Sequence, residues 1–198
     1  RYFQPFFFMG MGLMLAVGPL VAQGLGANDD RLVRRSLRQG LFLAVVVGLV
    51  FILPIAGGRT VLIWLGQDPD ILMHVDEFLL RLAVGIPFVF IYFVARQYVI
   101  SHQRPIPQVV AAALGLGANI IANHVLINGL GPFPAMGLNG IALSTSVIYM
   151  LMGGGLLIYI GLSAPYRASA PFHRIWVMDW QITWRMLKIG TPIGLTIV

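Results

Sequence analysis

Cysteine is absent from the 198 residues, which excludes disulfides, thiolate chemistry and Cys-ligated metal sites. Charge is nearly as scarce. Only 10% of positions are Asp, Glu, Lys or Arg, against about 25% in a soluble domain. So few charges cannot cover a surface in water, whereas helices facing lipid can be apolar all round. Also missing is the apolar and polar alternation over about 10 residues that marks a barrel strand. No run carries paired carboxylates, metal-ligand spacing or a Ser and His pair at membrane depth, so a membrane enzyme acting on lipids is not expected.

What is present is apolar. Hydrophobic residues fill 58% of the chain and the mean hydropathy is +0.85. Because a helix needs roughly 20 apolar residues to cross the hydrocarbon core, the sequence divides into five full spans: Phe6 to Leu25, Gly40 to Gly57, Phe78 to Val99, Val109 to Ile127 and Gly137 to Leu162. A sixth run opens near Met186 and stops at Val198. The expected fold is therefore an all-α membrane protein, a polytopic helical bundle. Opening on Arg1 and stopping within an apolar run, the sequence is expected to be a fragment. No signal peptide is expected, since the first run is of spanning length and no small-residue cleavage pattern follows it.

The net charge of +6 does not indicate nucleic acid, because the basic residues punctuate the gaps between apolar runs instead of clustering on a polar face. The first, third and fifth gaps hold ten of the thirteen Lys and Arg, among them Arg31, Arg34, Arg35 and Arg38. By the positive-inside rule these gaps are expected in the cytoplasm, with the gaps containing Asp68 and Gly131 outside. Trp64, Trp176, Trp180 and Trp184 sit in or beside connections, as interfacial anchors do. Asp68 and Pro69 read as a turn, Pro105 and Pro107 separate the third and fourth spans, and Ser163 to Asp179 is expected to be a linker.

Polar side chains within a span are costly and tend to face the bundle interior or a water-filled path. On the fourth span Asn119 and Asn123 stand four apart on one face, with His124 beside them and Asn128 near the end. Their amides can coordinate a cation, bond a solute, or fasten neighbouring helices; spacing alone favours fastening. His124 is the one readily titratable side chain near mid-span, and a lone histidine is more often a packing residue. Ser144, Thr145 and Ser146 on the fifth span are expected to bond back to their own backbone. Pro87, with Tyr92 and Gln97 beyond it, and Gly18 and Pro19, with Gln23 following, each combine a weakened helix with a nearby polar group. Arg81 is expected to snorkel to the interface. The 23 glycines point to closely packed helices.

Taken in order, these segments resemble the multidrug and toxic compound extrusion family. GPLVAQGLGANDDRLVRRSLRQGL, Gly18 to Leu41, is similar to its second helix and following loop, and LGQDPDI, Leu65 to Ile71, to the outer loop between its third and fourth helices. LGANIIANHVLINGLGPFPAMGLNGIALST, Leu116 to Thr145, resembles its fifth helix, outer turn and start of the sixth, while MLKIGTPIGL, Met186 to Leu195, resembles the beginning of the seventh. The resemblance implies a twelve-helix, two-lobe transporter working by alternating access. Residues 1–162 would hold helices two to six of the first lobe, 163–181 a cytoplasmic linker and 182–198 the start of the second lobe. The first helix and most of the second lobe, the missing partners of this piece, would lie elsewhere in the parent chain.

The same resemblance places Asn119 and Asn123 in a polar network that binds the coupling cation, Thr145 near its sixth-helix hydroxyl, and Gln23 at a structural or cavity position. It implies a sodium- or proton-coupled antiporter exporting amphipathic, often cationic, small organic compounds across a bacterial cytoplasmic membrane, with no cofactor and no resident metal. The family's key acidic residue lies on its first helix. A flippase for lipid-linked saccharides is the alternative, but such proteins line their cavity with basic residues, and the spans offer Arg81 alone, near an end. A non-transporting scaffold is disfavoured by the polar pair on the fourth span.

Overall fold

The computed structural model describes residues 4–56, 69–129, 134–167, 172 and 177–197. Within these ranges the side chains of residues 5, 6, 53–56, 69–82, 138, 167 and 197 are not described. The Asp68 turn, Trp64, Trp176, Gly131, the side chain of Arg81 and residues 168–171 and 173–176 of the expected linker thus lie outside the described residues.

All described regular structure is helical: α1 (Gln4–Leu15), α2 (Val17–Gly26), α3 (Asp30–Ala56), α4 (Pro69–Ser101), α5 (Ile106–Asn128), α6 (Leu138–Leu162), the single turn α7 (Ala164–Arg167) and α8 (Trp180–Ile197). Among the described residues five stretches are long and apolar enough to cross a membrane: Phe7–Gly26, Asp30–Ile52, Ala83–Ser101, Ile106–Asn128 and Asn139–Leu162.

Three boundaries differ from the hydropathy reading. The first span is interrupted at Ala16, because Pro19 has no N–H to offer the Leu15 carbonyl one turn earlier. Ser101 Oγ donates to the Gly18 carbonyl at 3.0 Å, bracing the interruption from α4. The second span begins ten residues earlier than the apolar run, at Asp30. Arg, Leu and Gln are good helix formers, and the Asp29 carboxylate caps the start, accepting from the N–H groups of Arg31 and Leu32 at 3.0 Å each. The last helix opens at Trp180, not near Met186. Helical hydrogen bonding is indifferent to the membrane boundary, so hydropathy under-reads helix length. Pro87, by contrast, leaves α4 continuous.

Helix α4 lies at the centre, against α3, α6, α1 and α2. Its Phe90, Val94 and Tyr98 are fully buried with Leu20 of α2 and Leu37 of α3. Close approach uses glycine: a Cβ on Gly48 of α3 would stand 2.6 Å from Pro87 Cα, and one on Gly85 would meet Ser146 Oγ of α6 at 2.2 Å. Helix α8 returns against α1 by the same means, for a Cβ on Gly12 would lie 2.3 Å from the backbone nitrogen of Gly194. At the Arg-rich end Thr183 Oγ1 donates to Gln39 Oε1 at 3.1 Å and Gln39 Nε2 donates to the Val177 carbonyl at 3.0 Å, tying α8 to α3. Trp180 and Trp184 are exposed there, where interfacial anchors belong.

Candidate functional site

Helices α5 and α6 form an antiparallel hairpin whose turn opens at Gly129. That residue adopts φ +70°, its N–H closes α5 on the Val125 carbonyl, and a Cβ there would meet the Ala135 nitrogen at 2.5 Å. Glycine alone fits this left-handed, crowded position. The hairpin sets the pairing: Asn123 faces Ser144, and Gly115 faces Met152. Both pairs share the same midpoint in the chain.

At membrane depth on this hairpin, Asn123 Nδ2 donates to Asn119 Oδ1 at 2.9 Å, and Ser144 Oγ donates to Asn123 Oδ1. Both asparagines are half-buried and Ser144 is buried. The ladder offers two amide oxygens and a hydroxyl oxygen within one turn of α5. Each amide oxygen has a second lone pair beyond the bond described, the hard oxygen chemistry that alkali and alkaline-earth cations prefer. Its other capability is mechanical, since an interhelical hydrogen bond holds α5 to α6.

Of the four residues singled out by sequence, the structure unites Asn119 and Asn123 and separates the other two. Thr145 is half-buried and turns to a different space, a cavity of about 370 Å³ between α1, α4 and α6 that it lines with Gln4, Phe7, Phe93, Ser146 and Tyr149. Gln23 is exposed near the end of α2, its carbonyl accepting the N–H of Ala27 at 3.0 Å. His124 is exposed too; its Nδ1 and its carbonyl both meet Asn128 Nδ2, at 3.2 and 2.8 Å.

Ser144 is the residue the sequence reading passed over. It does bond back to the Ile141 carbonyl at 2.9 Å, and it also reaches across to Asn123. The available signal was the hairpin midpoint, which sets residue 144 and not 145 opposite 123. Ser146 bonds back as expected, to the Ala142 carbonyl at 2.9 Å. Among the described residues no group of three or more His, Cys, Asp or Glu could hold a metal ion.

A model of the MatE family matches residues 1–125. The chain belongs to the MatE family. It is 34% identical over 196 residues to a protein named probable multidrug resistance protein NorM from Bradyrhizobium diazoefficiens, covering 98% of this chain and 41% of that one. A protein of the same name from Synechocystis is 31% identical over 198 residues, with coverages of 99% and 42%. The chain therefore spans about two-fifths of the length of these curated relatives. Among solved structures, an inward-facing multidrug resistance MATE family transporter of the MOP superfamily superposes with a TM-score of 0.84 at 17% identity, over 98% of this chain and 43% of that one. The eukaryotic MATE transporter AtDTX14 superposes with 0.81 at 18% identity, over 95% and 41%. At such low identity these likenesses speak to the fold, which is that of MatE transporters.

Proposed function

We propose that this MatE chain supplies most of the first lobe of a sodium- or proton-coupled antiporter that exports amphipathic, often cationic, organic compounds. The observation that carries the reading is the ladder of Asn119, Asn123 and Ser144, a polar node at membrane depth in a family whose relatives bear the name multidrug resistance protein. In this reading the coupling cation binds among the three oxygens, and Thr145 acts from the neighbouring cavity without touching the same ion. Gln23, exposed at the end of α2, holds the connection to α3. Residues 1–162 form the first-lobe bundle, 163–181 the linker, and 182–198 the start of the second lobe. The Arg-rich ends face the cytoplasm, as the positive-inside rule directs.

Cation and solute compete through one conformational equilibrium, each favouring a different packing of the two lobes, and no bond is made or broken. In the five spanning stretches of the structure the one carboxylate is Asp30, at the very start of its helix. A carboxylate that changes protonation at membrane depth is thus sought outside these spans. The node itself suits an alkali cation better than a proton, since amides and hydroxyls do not titrate in the physiological range.

Ethidium efflux from drug-sensitive bacteria expressing the full-length protein, with sodium and pH varied separately, tests the reading. Asn119→Ala and Asn123→Ala are expected to weaken ion-dependent efflux by about ten-fold or more at equal membrane levels, the equivalent of one lost cation ligand at about 1.4 kcal/mol. Undiminished efflux in both variants would return the asparagines to helix fastening. Failure to move ethidium or any of a panel of cationic dyes would favour the flippase alternative.

A further inference from the structure

The Arg-rich end of α3 carries Arg31, Arg34, Arg35 and Arg38 at helical spacing on one side. Arg38, the deepest of the four, is only 6% exposed. The Asp179 carboxylate nearby is engaged by Arg35, Nη1 to Oδ2 at 3.2 Å. Arg185 and Lys188 on α8 add further positive charge, so even with Asp29, Asp30 and Asp179 counted this end of the α3 and α8 pair carries more basic than acidic side chains.

Arg38 stands at the head of a cleft of about 360 Å³ between α3 and the segment leading into α8. Arg38 and Gln39 form its polar end, Phe42 and Val45 its floor, and Val177 and Met178 its far wall. The wall is pinned, not loose: the Val177 carbonyl is held by Gln39, Gln39 by Thr183, and Asp179 by Arg35. Along the floor, Phe42 is 40% and Val45 41% exposed, and the apolar surface continues up α3 through Val46, Leu49 and Val50. The cleft therefore runs from a buried guanidinium onto an exposed apolar helix surface, with Trp180 and Trp184 exposed at the same end of the bundle.

We propose that this cleft binds an anionic phospholipid, whose phosphate meets the Arg38 guanidinium while an acyl chain lies over Phe42 and Val45, bridging α3 to α8. Guanidinium and phosphate are geometrically matched for paired, charge-assisted hydrogen bonds. Basic pockets between helices at a membrane surface take anionic headgroups for this reason. A free phosphate would satisfy the head of the cleft and leave its apolar floor uncovered, so the lipid is the occupant that fits both ends. The lipid would add to the side-chain bonds that already join the two helices.

Binding of phosphatidylglycerol and of phosphatidylcholine with the same acyl chains, measured by native mass spectrometry on the full-length protein in detergent, tests the proposal. The wild type is expected to hold phosphatidylglycerol about five-fold more tightly or better, in keeping with one well-placed basic side chain. Arg38→Gln is expected to erase that preference, while Arg31→Gln, altering the exposed second residue of α3, keeps it. Val45→Trp fills the floor without changing any charge and is also expected to weaken phosphatidylglycerol binding, which decides the matter should Arg38→Gln fail to fold. Equal binding of the two lipids by the wild type, or undiminished phosphatidylglycerol binding in Val45→Trp, would overturn the proposal. Displacement of phosphatidylglycerol by millimolar inorganic phosphate would equally overturn it, showing an anion site that does not need the lipid.

Discussion

Helices α4 and α5 are neighbours in sequence and almost equal in hydropathy, with mean values of 1.6 over Ala83–Ser101 and 1.7 over Ile106–Asn128, yet 56% of the first stretch is buried and 6% of the second. Helix α4 is enclosed on several sides, whereas α5 leans chiefly on α6 and leaves Leu114, Leu116, Ile120 and Ile121 exposed. In water such a difference would show in composition, because exposed positions would turn polar. In a bilayer both environments are apolar, and the contrast leaves no trace in hydropathy. What differs is the use of small and polar residues: α4 receives its neighbours at glycine contacts, while α5 is fastened by a hydrogen-bonded node.

The largest expected consequence is steric. Phe90→Ala is expected to cost about 3 kcal/mol, at the low end for a buried phenylalanine because separated helices would leave the ring in lipid, not water. Ile120→Ala, 62% exposed in the wild type, should stay within about 0.5 kcal/mol. Unfolding in mixed micelles measures both, and equal losses would break the comparison. Next comes a pair of glycines. Gly85→Ala drives a methyl into Ser146 and is expected to destabilise by about 1–3 kcal/mol, while Gly117, with nothing within 4 Å of its added Cβ, should accept alanine at no more than about 0.5 kcal/mol. A smaller effect, about 1 kcal/mol, is expected for Asn123→Leu, the scale of one interhelical hydrogen bond in a membrane. A loss of that size together with a collapse of efflux would separate the node's fastening role from its transport role.

The smallest effect concerns the end of α4. His102 lies just past the span, its ring 4.4 Å from that of Tyr98 and 4.9 Å from that of Tyr166 in α7, with Nδ1 bonded to the Tyr98 carbonyl at 2.8 Å. Burial pushes its pKa below the ordinary 6.5, partly offset by that backbone bond and reinforced by Arg104. A base with a lowered folded pKa contributes stability that is complete above the unfolded value and is lost as pH falls below about 6.5 through the folded value. Protection from hydrogen exchange in α7, corrected for the intrinsic exchange rate, is therefore expected to fall on acidification, and His102→Phe to abolish that fall. An identical pH response in the variant would show that the aromatic contact does not sense protonation.

Much of the site was legible because its two asparagines lie on one helix, where a spacing of four suffices to join them. Ser144 was not, because its partner stands 21 residues away and the choice among three consecutive hydroxyls depends on how α6 is rotated. Thr145 illustrates the same limit: motif order placed it near the network, while helix rotation turned it into a separate cavity. Gln39 carried no polar signal of its own within a basic stretch, and its role appeared only when α8 returned beside α3.

Sequence alone determined that this is a helical membrane protein of five spans, since helix is the way an apolar chain of this length satisfies its backbone in lipid. It also determined the MatE family, through motifs spread over the chain. Tertiary structure alone decided which helix is central and which peripheral, which serine joins the asparagines, and where α8 docks. Those outcomes rest on interhelical rotation and close backbone approach, which lipid, being as apolar as the side chains it surrounds, does not write into the pattern of hydropathy.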